Sequence, residues 1–211
     1  MKVLRRLIAI SVLLVSLSAV TLAGESMGAT LALSATPDLG NKVSRVVAFN
    51  SSRGAGMSRI GLISDTHGLL RPEAVAFLQG CDFIVHAGDI GHAAVLEELT
   101  AIAPVTAVRG NNDKGPWAER VRETEVLQVG RVFIYVLHNI ADLALDPLAA
   151  GPQVVVSGHS HKPSVKERDG VLYVNPGSSG PRRFKLPVAL AELIVEGSSV
   201  RARVVELATG G

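Results

Sequence analysis

Five short apolar runs in this 211-residue chain end abruptly in polar side chains of the kinds that bind metal ions. The first run, residues 60–64, leads directly into Asp65 and His67. An apolar run of this length that stops at a turn is typical of a buried strand, and α/β sheets bind ligands where such strands end. Because Asp65 and His67 are two residues apart, their side chains leave an extended backbone on the same side and can converge on one ion. A single pair of this kind is more often a capped turn, so the interpretation depends on the repetition of the pattern.

The order of the predicted elements indicates an α/β fold. After the first strand, Pro72 can open a helix that Gly80 closes, and the apolar spacing predicts a second helix over residues 92–100. Strands predicted at 81–87 and 104–108 alternate with these helices, which implies a largely parallel sheet with right-handed crossovers. The second half is richer in strands, and a second sheet packed on the first would bury them. The remaining predicted elements are a short helix or turn at 142–150 and strands at 124–129, 131–137, 153–157, 164–168, 171–174, 188–195 and 200–206.

The five strand ends carry seven side chains of ligand type, and four of the six histidines lie there. Cys81 is the only cysteine, so the chain has no internal disulfide and no thiolate zinc cluster. Oxygen and imidazole ligands suit Mn, Fe, Co, Ni, Zn or Mg. Seven ligands exceed the need of one ion, whereas two ions that share a carboxylate would use them, and ions about 3.5–4 Å apart can clamp an in-line phosphoryl displacement. The seven are Asp65, His67, Asp89, Asn111, His138, His159 and His161.

In their order along the chain, these strand ends resemble the motif blocks of the calcineurin-like metallophosphoesterases, over roughly residues 58–208. The blocks are Asp65-x-His67, Gly88-Asp89, Gly110-Asn111, His138 and Gly158-His159-Ser160-His161. The Gly-Asn-x-Asp form of the third block and the stretch 175–178 are similar to small single-domain bacterial and archaeal phosphodiesterases of that family. The fourth block departs from the common pattern, because Asn139 follows the histidine where many relatives have glycine, and this puts the shape of the pocket in question.

The resemblance implies a fold, a ligand set and a reaction. The fold would be a single-domain four-layer α/β/β/α sandwich. Asp65, His67 and His161 would hold one ion, and Asn111, His138 and His159 the other. Asp89 would bridge the two ions and, with Asn111 and His138, would act directly in catalysis. Two divalent ions, with Mn favoured, would supply a bridging hydroxide that attacks the phosphorus of a small-molecule phosphate ester, since bound water loses a proton near neutral pH.

Asn112 indicates the type of ester. Many phosphomonoesterase relatives have a histidine directly after the asparagine of the third block, where it can protonate the leaving oxygen. An amide cannot act as a general acid, so a leaving group that departs unprotonated is favoured, which indicates diesters or activated aryl esters. Two alternatives stay open: a phosphomonoesterase or nucleotide pyrophosphatase on the same site, and a non-catalytic scaffold with the same fold. The natural substrate, the native metal and the oligomeric state are left open.

The composition adds little about partners. Twenty-one basic and 19 acidic residues give a formal charge of +2, and no long basic tract or set of stacking aromatics demands a nucleic acid. Nothing in the body of the chain requires a membrane. Of the side chains near the blocks, His86 is interpreted as a buried supporting residue, His92 as a helix cap or surface residue, and the two arginines at 182–183 as solvated. The loop at 175–181 is as consistent with a tight turn as with substrate contact.

Residues 1–56 form an atypical front end. Basic residues precede an apolar stretch at 7–23, which resembles a secretory signal, or a membrane anchor if it spans with fewer than the usual ~20 apolar residues. Residues 25–56 have no sustained periodicity and read as a linker or disordered leader. Because Met57 immediately precedes the first core strand, an over-extended gene start is an equal alternative. We predict a domain over residues 57–211 to which residues 1–56 contribute nothing, and a cytoplasmic location unless residues 1–23 work as a signal.

Overall fold

The structure is a computed structural model that describes residues 46–49, for which it gives the backbone pairing, and residues 56–183 and 185–208. It is a mixed α/β fold with two sheets and few helices. The helices are α1 (Pro72–Leu78), α2 (Ala93–Thr100) and α3 (Pro147–Ala150). The strands are β1 (Val46–Phe49), β2 (Met57–Ile63), β3 (Phe83–His86), β4 (Val105–Ala107), β5 (Thr124–Val129), β6 (Val132–Leu137), β7 (Val154–Val156), β8 (Ser164–Arg168), β9 (Val171–Asn175), β10 (Ala189–Glu196) and β11 (Ser199–Glu206).

The strands form two sheets. The five-stranded sheet has the order β11-β10-β2-β3-β4, in which β2, β3 and β4 are parallel. The six-stranded sheet has the order β1-β5-β6-β7-β9-β8, in which β6, β7 and β9 are parallel. The strands predicted at 124–129 and 131–137 form the antiparallel pair β5–β6 around Gly130, and those predicted at 164–168 and 171–174 form the antiparallel pair β8–β9 around Asp169-Gly170. The parallel strands carry the polar ends, so each sheet delivers its ligand-type residues to one edge.

The main core lies between the two sheets. Residues from both sheets interlock there, among them Leu62 and Val85 from one and Ile134 and Val156 from the other, all fully buried. These strands read as nearly continuous apolar runs because they are covered on both faces. The packing of two sheets on one core explains why the strand-rich second half does not form a separate domain.

The helices cover the outer faces and complete the four layers, which confirms the predicted fold class. Pro72 opens α1, and Gly80, with φ of 76°, follows the end of that helix. The helices α1 and α2 bury Leu78 and Leu99 against the outer face of the five-stranded sheet. The outer face of the six-stranded sheet is covered by thinner structure: the segment around Leu143 and Leu145, followed by the single turn of α3. None of the helices in the described part of the chain is long and apolar enough to cross a membrane.

The edge strand β1 is a difference from the sequence analysis. Val46–Phe49 pairs in parallel with β5, in register Val46 with Val126, although residues 25–56 were expected to lack regular structure. A short run of Val, Val, Ala and Phe has high β propensity and can add to an open sheet edge. The expectation that residues 1–56 contribute nothing to the fold is therefore wrong for these four residues. The signal-like segment at 1–23 lies outside the described residues, and the domain boundary at Met57 stays a prediction.

A buried carboxylate connects the sheet to α1. Glu192 is 4% exposed and accepts hydrogen bonds from the guanidinium groups of Arg203 and of Arg59, the latter at 2.7 Å. Arg59 also donates to the carbonyls of Phe77 and Gln79 at the end of α1. Burial alone would raise the pKa of Glu192, but the hydrogen bonds from Arg59 and Arg203 lower it below its ordinary value. The ionised form is therefore the one that stabilises the fold.

We expect Glu192→Gln to lower the free energy of unfolding at pH 7 by roughly 1.5–3 kcal/mol, the range for hydrogen bonds to charged groups. A depressed folded-state pKa gives stability that is complete above the unfolded-state pKa, about 4.3, and is lost as the pH falls through the folded-state pKa. Thermal melts should thus separate the two proteins most at pH 7 and less at an acidic pH below about 4.3, where the charge of Glu192 is progressively lost. Glu196→Gln, at the exposed end of the same strand, is the control. An equal difference at both pH values would contradict the role of the charge.

Candidate metal centre

The ligand-type residues come from loops at the carboxyl ends of parallel strands in both sheets. Asp65 and His67 follow β2, Asp89 follows β3 and Asn111 lies beyond β4, all from the five-stranded sheet. From the six-stranded sheet, His138 follows β6, and His159 and His161 lie beyond β7. Because parallel strands end at the same edge, each sheet brings its own residues together, and stacking of the two sheets brings both sets to one place.

The first set is Asp65, His67 and His161, whose ligand atoms lie within 4.8 Å of one another. The Nε2 atom of His161 is 3.2 Å from Oδ1 of Asp65, and the rings of His67 and His161 are 5.5 Å apart. Asp65 is fully buried, and its Oδ2 accepts hydrogen bonds from the Ser64 hydroxyl at 2.7 Å and from the His159 N–H at 3.1 Å. Oδ1 of Asp65 is thereby left facing the two imidazoles.

The second set is Asn111, His138 and His159. The Oδ1 atom of Asn111 is 3.1 Å from Nε2 of His138 and 3.0 Å from Nδ1 of His159. His138 donates from Nδ1 to the Ala87 carbonyl at 2.7 Å, so Nε2 of the neutral ring would present a lone pair to the Asn111 oxygen. Burial would lower the pKa of His138, but its hydrogen bonds to Asp89 and Ala87 raise it. The oxygens of Asn111 and Asp89 close to Nε2 of His138 therefore favour a positive charge at this point, either a proton on the imidazole or a cation beside it.

Asp89 lies between the two sets. Its Oδ2 is 3.8 Å from Nε2 of His67, and its Oδ1 is 3.5 Å from Nε2 of His138. Burial would raise the pKa of Asp89, but hydrogen bonds from His138 and from the backbone and side chain of Asn112 hold it well below the ordinary range. Asp65 also comes within 4.8 Å of Asp89 and His138 through its own ligand atoms. All seven predicted residues thus converge, and both aspartates, not Asp89 alone, lie where a bridging carboxylate would lie.

Five of these residues have left-handed backbone. The φ angles are 54° at Asp65, 46° at His67, 53° at Asp89, 64° at His159 and 57° at His161. The only other non-glycine residue with positive φ in the described part of the chain is Asp169, in a hairpin turn. The expectation that Asp65 and His67 converge through extended backbone is therefore wrong. The left-handed turns aim the side chains instead, and backbone strain of this kind persists where the surrounding structure enforces it, typically at functional sites.

The buried polar atoms fit a metal ion. Within the described residues, Oδ1 of Asp65, Nε2 of His67 and Nδ1 of His161 are buried and have no hydrogen-bond partner. Such atoms ordinarily cost about 1–3 kcal/mol each, so their occurrence on all three residues of the first set requires an explanation. Burial lowers the pKa of His67, which keeps its imidazole neutral and available as a ligand. Carboxylate, amide oxygen and neutral imidazole together form a donor set suited to divalent transition metals.

His86 supports the ligand loops from below and is not itself a ligand. It is fully buried, accepts a hydrogen bond from the Gly88 N–H at 3.2 Å, and its Nε2 donates to the Thr66 hydroxyl at 2.9 Å. Thr66 in turn donates to the Ile90 carbonyl at 2.9 Å. Burial lowers the pKa of His86 to about 3, so the ring is neutral. The chain from His86 through Thr66 joins the first two ligand loops, as expected for a supporting residue.

The loop at 175–181 is a second support. Ser178 donates to the Asp65 carbonyl at 2.9 Å, and Asn175 donates to the Gly158 carbonyl at 2.7 Å. Ser178, Ser179 and Asn175 are buried, so these side chains hold the ligand loops and do not present a surface to a substrate. Sequence reasoning left this loop open between a tight turn and a substrate contact. The adjacent Arg183 is exposed, and its charge contributes to lowering the pKa of His67.

Asp113 was missed by the sequence analysis. Its carboxylate is 6% exposed and accepts hydrogen bonds from the backbone N–H groups of Gly91 at 2.7 Å and Gly110 at 2.8 Å. It therefore connects the loop that carries Asp89 to the loop that carries Asn111. The signal was present as the last residue of the Gly-Asn-x-Asp block, but a carboxylate in a polar loop cannot be distinguished from a solvated one by sequence alone.

A cleft of about 760 Å³ opens beside the second set. Asn111, His138 and His159 form one end of it, and charged side chains of both signs line the rest. Its volume lies within the range of small-molecule sites. The other lining side chains include Arg109, Glu123 and Asn139.

The fold and the site together define a class of protein: a single-domain α/β sandwich whose two sheets converge on a cluster of carboxylates, imidazoles and one amide. The family model described as the calcineurin-like phosphoesterase superfamily domain matches residues 58–196. The chain belongs to this family, as the motif blocks predicted.

Two curated relatives and one solved structure illustrate the similarity. A probable metallophosphoesterase of Methanothermobacter thermautotrophicus is 35% identical over 158 residues, covering 69% of this chain and 91% of that protein. A phosphodiesterase of Methanocaldococcus jannaschii is 26% identical over 137 residues, covering 56% of this chain and 82% of that protein. Vacuolar protein sorting 29 of Cryptosporidium parvum superimposes with a TM-score of 0.59 at 20% identity, covering 72% of this chain and 99% of that structure, and shares the fold.

Proposed function

We propose that the protein is a metal-dependent phosphodiesterase that binds two divalent ions. The observation that carries the proposal is the convergence of seven ligand-type side chains as two sets, with the Asp89 carboxylate 3.8 Å from one set and 3.5 Å from the other. Membership of the phosphoesterase family supports the reaction class. The buried unpaired atoms of Asp65 and His67 support the presence of a cation.

Each residue has a proposed role. Asp65, His67 and His161 would hold one ion, Asn111, His138 and His159 would hold the other, and Asp89 would serve both. When bound, the two ions supply a deprotonated water near neutral pH and neutralise phosphate charge. The Ala87 carbonyl orients His138 through its Nδ1–H, and the Ser64 hydroxyl orients Asp65. Both hydrogen bonds fix the ligand atom that points to the centre. The donor set is compatible with Mn, which we favour, and with Ni, Co, Fe, Zn or Mg.

Two observations favour diesters over monoesters. No histidine stands at position 112 to protonate a leaving alkoxide, and the amide of Asn112 cannot serve as a general acid. The Methanocaldococcus jannaschii relative is named a phosphodiesterase. A monoesterase or nucleotide pyrophosphatase on the same centre is the alternative reaction, and the substrate comparison below distinguishes it.

The cleft beside the second set is the proposed site for the remainder of the substrate. Arg109 donates to the exposed Glu123 at 2.6 Å, and exposed ion pairs of this kind contribute little, so both groups can exchange this contact for a ligand. Asn139, which replaces the glycine common in relatives, lies in the wall of this cleft. A small phosphate ester would therefore fit with its phosphate at the cluster of ligand-type residues and its alcohol part along the cleft.

The non-catalytic scaffold remains the alternative of a different class. The similarity to vacuolar protein sorting 29 is a similarity of fold and does not by itself favour that alternative. The complete set of seven ligand-type residues favours the enzyme. Metal analysis separates the two cheaply: about two equivalents of transition metal per chain support the enzyme, and none supports the scaffold.

Purified protein with Mn²⁺ or Ni²⁺ should hydrolyse bis-p-nitrophenyl phosphate, and excess EDTA should abolish the reaction because the ions supply the nucleophile. The release of p-nitrophenol measures the rate, and p-nitrophenyl phosphate under the same conditions measures monoesterase activity. Restoring the metal after chelation should restore the rate, which separates metal removal from denaturation. A rate that is indifferent to EDTA would contradict the proposal, and faster turnover of the monoester would favour the alternative reaction.

A further inference from the structure

Asn112 makes two hydrogen bonds to one carboxylate. Its backbone N–H donates to Oδ1 of Asp89 at 2.8 Å, and its side-chain Nδ2 donates to Oδ2 at 2.6 Å. Both oxygens of Asp89 are therefore held by a single residue 23 positions along the chain. We infer that Asn112 is a positioning residue for Asp89, which goes beyond its inability to act as a general acid. The inference rests on the proposed function, in which Asp89 contacts both ions.

The geometry explains why two bonds matter more than one. Oδ1 of Asp89 faces His138 and Oδ2 faces His67, so each oxygen serves a different set. A carboxylate held at one oxygen can still rotate about its Cβ–Cγ bond and lose this division. Held at both oxygens, it presents one oxygen to each set. Hydrogen bonds to ionised acceptors are also the stronger kind.

Neighbouring residues fix Asn112 in turn. Asp113 accepts hydrogen bonds from the N–H groups of Gly91 and Gly110, which places residue 112 over the loop that carries Asp89. Gly110 leaves no room for a side chain, because a Cβ there would overlap the backbone nitrogen and Oδ1 of Asp89. The position of Asn112 is thus set by its two neighbours in the loop, while its own side chain is free to act on Asp89.

The test is the affinity of the metal-free protein for Mn²⁺, measured by titration with detection of free Mn²⁺ by electron paramagnetic resonance. Asn112→Leu keeps the approximate shape and removes the donor, and we expect it to weaken the apparent affinity about 10-fold, the low end for loss of a group that orients a ligand, because the backbone N–H remains. Asn112→His, which restores a ring N–H donor, should recover most of that loss. Lys114→Leu, at an exposed position in the same loop, is the control.

Melting of the metal-free proteins separates positioning from a structural role. If Asn112 positions Asp89, the Asn112→Leu variant binds Mn²⁺ more weakly than wild type, while its metal-free melting temperature stays close to that of Lys114→Leu. Equal Mn²⁺ affinity in wild type and Asn112→Leu overturns the inference, as does a lower melting temperature in the variant without a change in affinity. A wild-type protein that binds neither Mn²⁺ nor any of the other divalent ions named above overturns the proposed function itself, and because that result comes from the wild type it is distinguishable from failure of the Asn112 inference.

Discussion

Replacing Asp89 with alanine is expected to lower bis-p-nitrophenyl phosphate hydrolysis by on the order of 10³-fold or more, since loss of one electrostatic group from such a site already costs about 10²–10³. The reason is positional. The Asp89 carboxylate lies between the two sets, so in the proposed function its loss would remove a ligand from both ions together. The same variant should bind fewer than two equivalents of Mn²⁺. Steady-state rates with saturating metal and metal analysis of the purified protein provide the two measurements.

A carboxylate outside the cluster provides the comparison. Asp146 accepts a hydrogen bond from the Leu148 N–H at 3.1 Å and caps the single turn of α3. Asp146→Ala should cost about 1 kcal/mol of stability as a lost helix cap and leave the rate near that of the wild type. If Asp89→Ala instead retained most of the activity, the bridging role would be wrong, and Asp65, the other carboxylate that lies between the sets, would be the residue to replace next.

The second large effect is expected from adding one methyl group beside the centre. A Cβ on Gly158 would overlap the Ser64 hydroxyl and lie 2.7 Å from Oδ2 of Asp65, and a Cβ on Gly110 would overlap the backbone nitrogen of Asp89. Gly158→Ala and Gly110→Ala should each lower the rate by on the order of 10²-fold, because a displacement of about 1 Å in a catalytic group can cost that much. Overpacking should also lower the free energy of unfolding by roughly 1–3 kcal/mol.

Gly115→Ala distinguishes this steric effect from a general intolerance of alanine. A Cβ at Gly115 meets nothing within 4 Å, although its φ of 91° is strained for any other residue. That variant should lose roughly 1–2 kcal/mol of stability through backbone strain and keep its catalytic rate. Melting curves and rates measured on the three glycine variants together test the explanation. Full activity in Gly158→Ala would contradict this explanation, because it would show that the Asp65 carboxylate can move to make room for the methyl group.

The alternation of strands and helices could be predicted well because each element carries a local signal. Examples of such local signals are Pro72 as the first residue of α1, the cap at His92 before α2, and the Asp169-Gly170 turn between β8 and β9. The β1 strand was missed because four apolar residues in a polar segment carry no period. Their pairing with β5 depends on an open sheet edge, which is a property of the assembled fold and not of the segment.

The convergence of the ligand-type side chains could be predicted from the sequence, whereas their geometry could not. The strand ends identified all seven side chains, since a parallel sheet delivers its carboxyl ends to one edge. The left-handed backbone at Asp65 and His67 was not predictable, because this conformation is uncommon for every residue except glycine, although aspartate and histidine adopt it more readily than most, and tertiary packing must impose it. The same holds for Asp113 and Ser178, whose roles depend on which backbone groups face them after the loops have come together.

The ligand-type residues come from both sheets, and this affects how the protein would unfold. The first set takes Asp65 from one sheet and His161 from the other, and the second set takes Asn111 from one and His138 from the other. Each bound ion would therefore act as a cross-link between the halves of the sandwich. An ion present at 100 times its dissociation constant adds about 2.7 kcal/mol to the stability of the state that binds it. The lifetime of the folded chain would then depend on the metal concentration, so that metal depletion would lower the amount of folded protein as well as its activity.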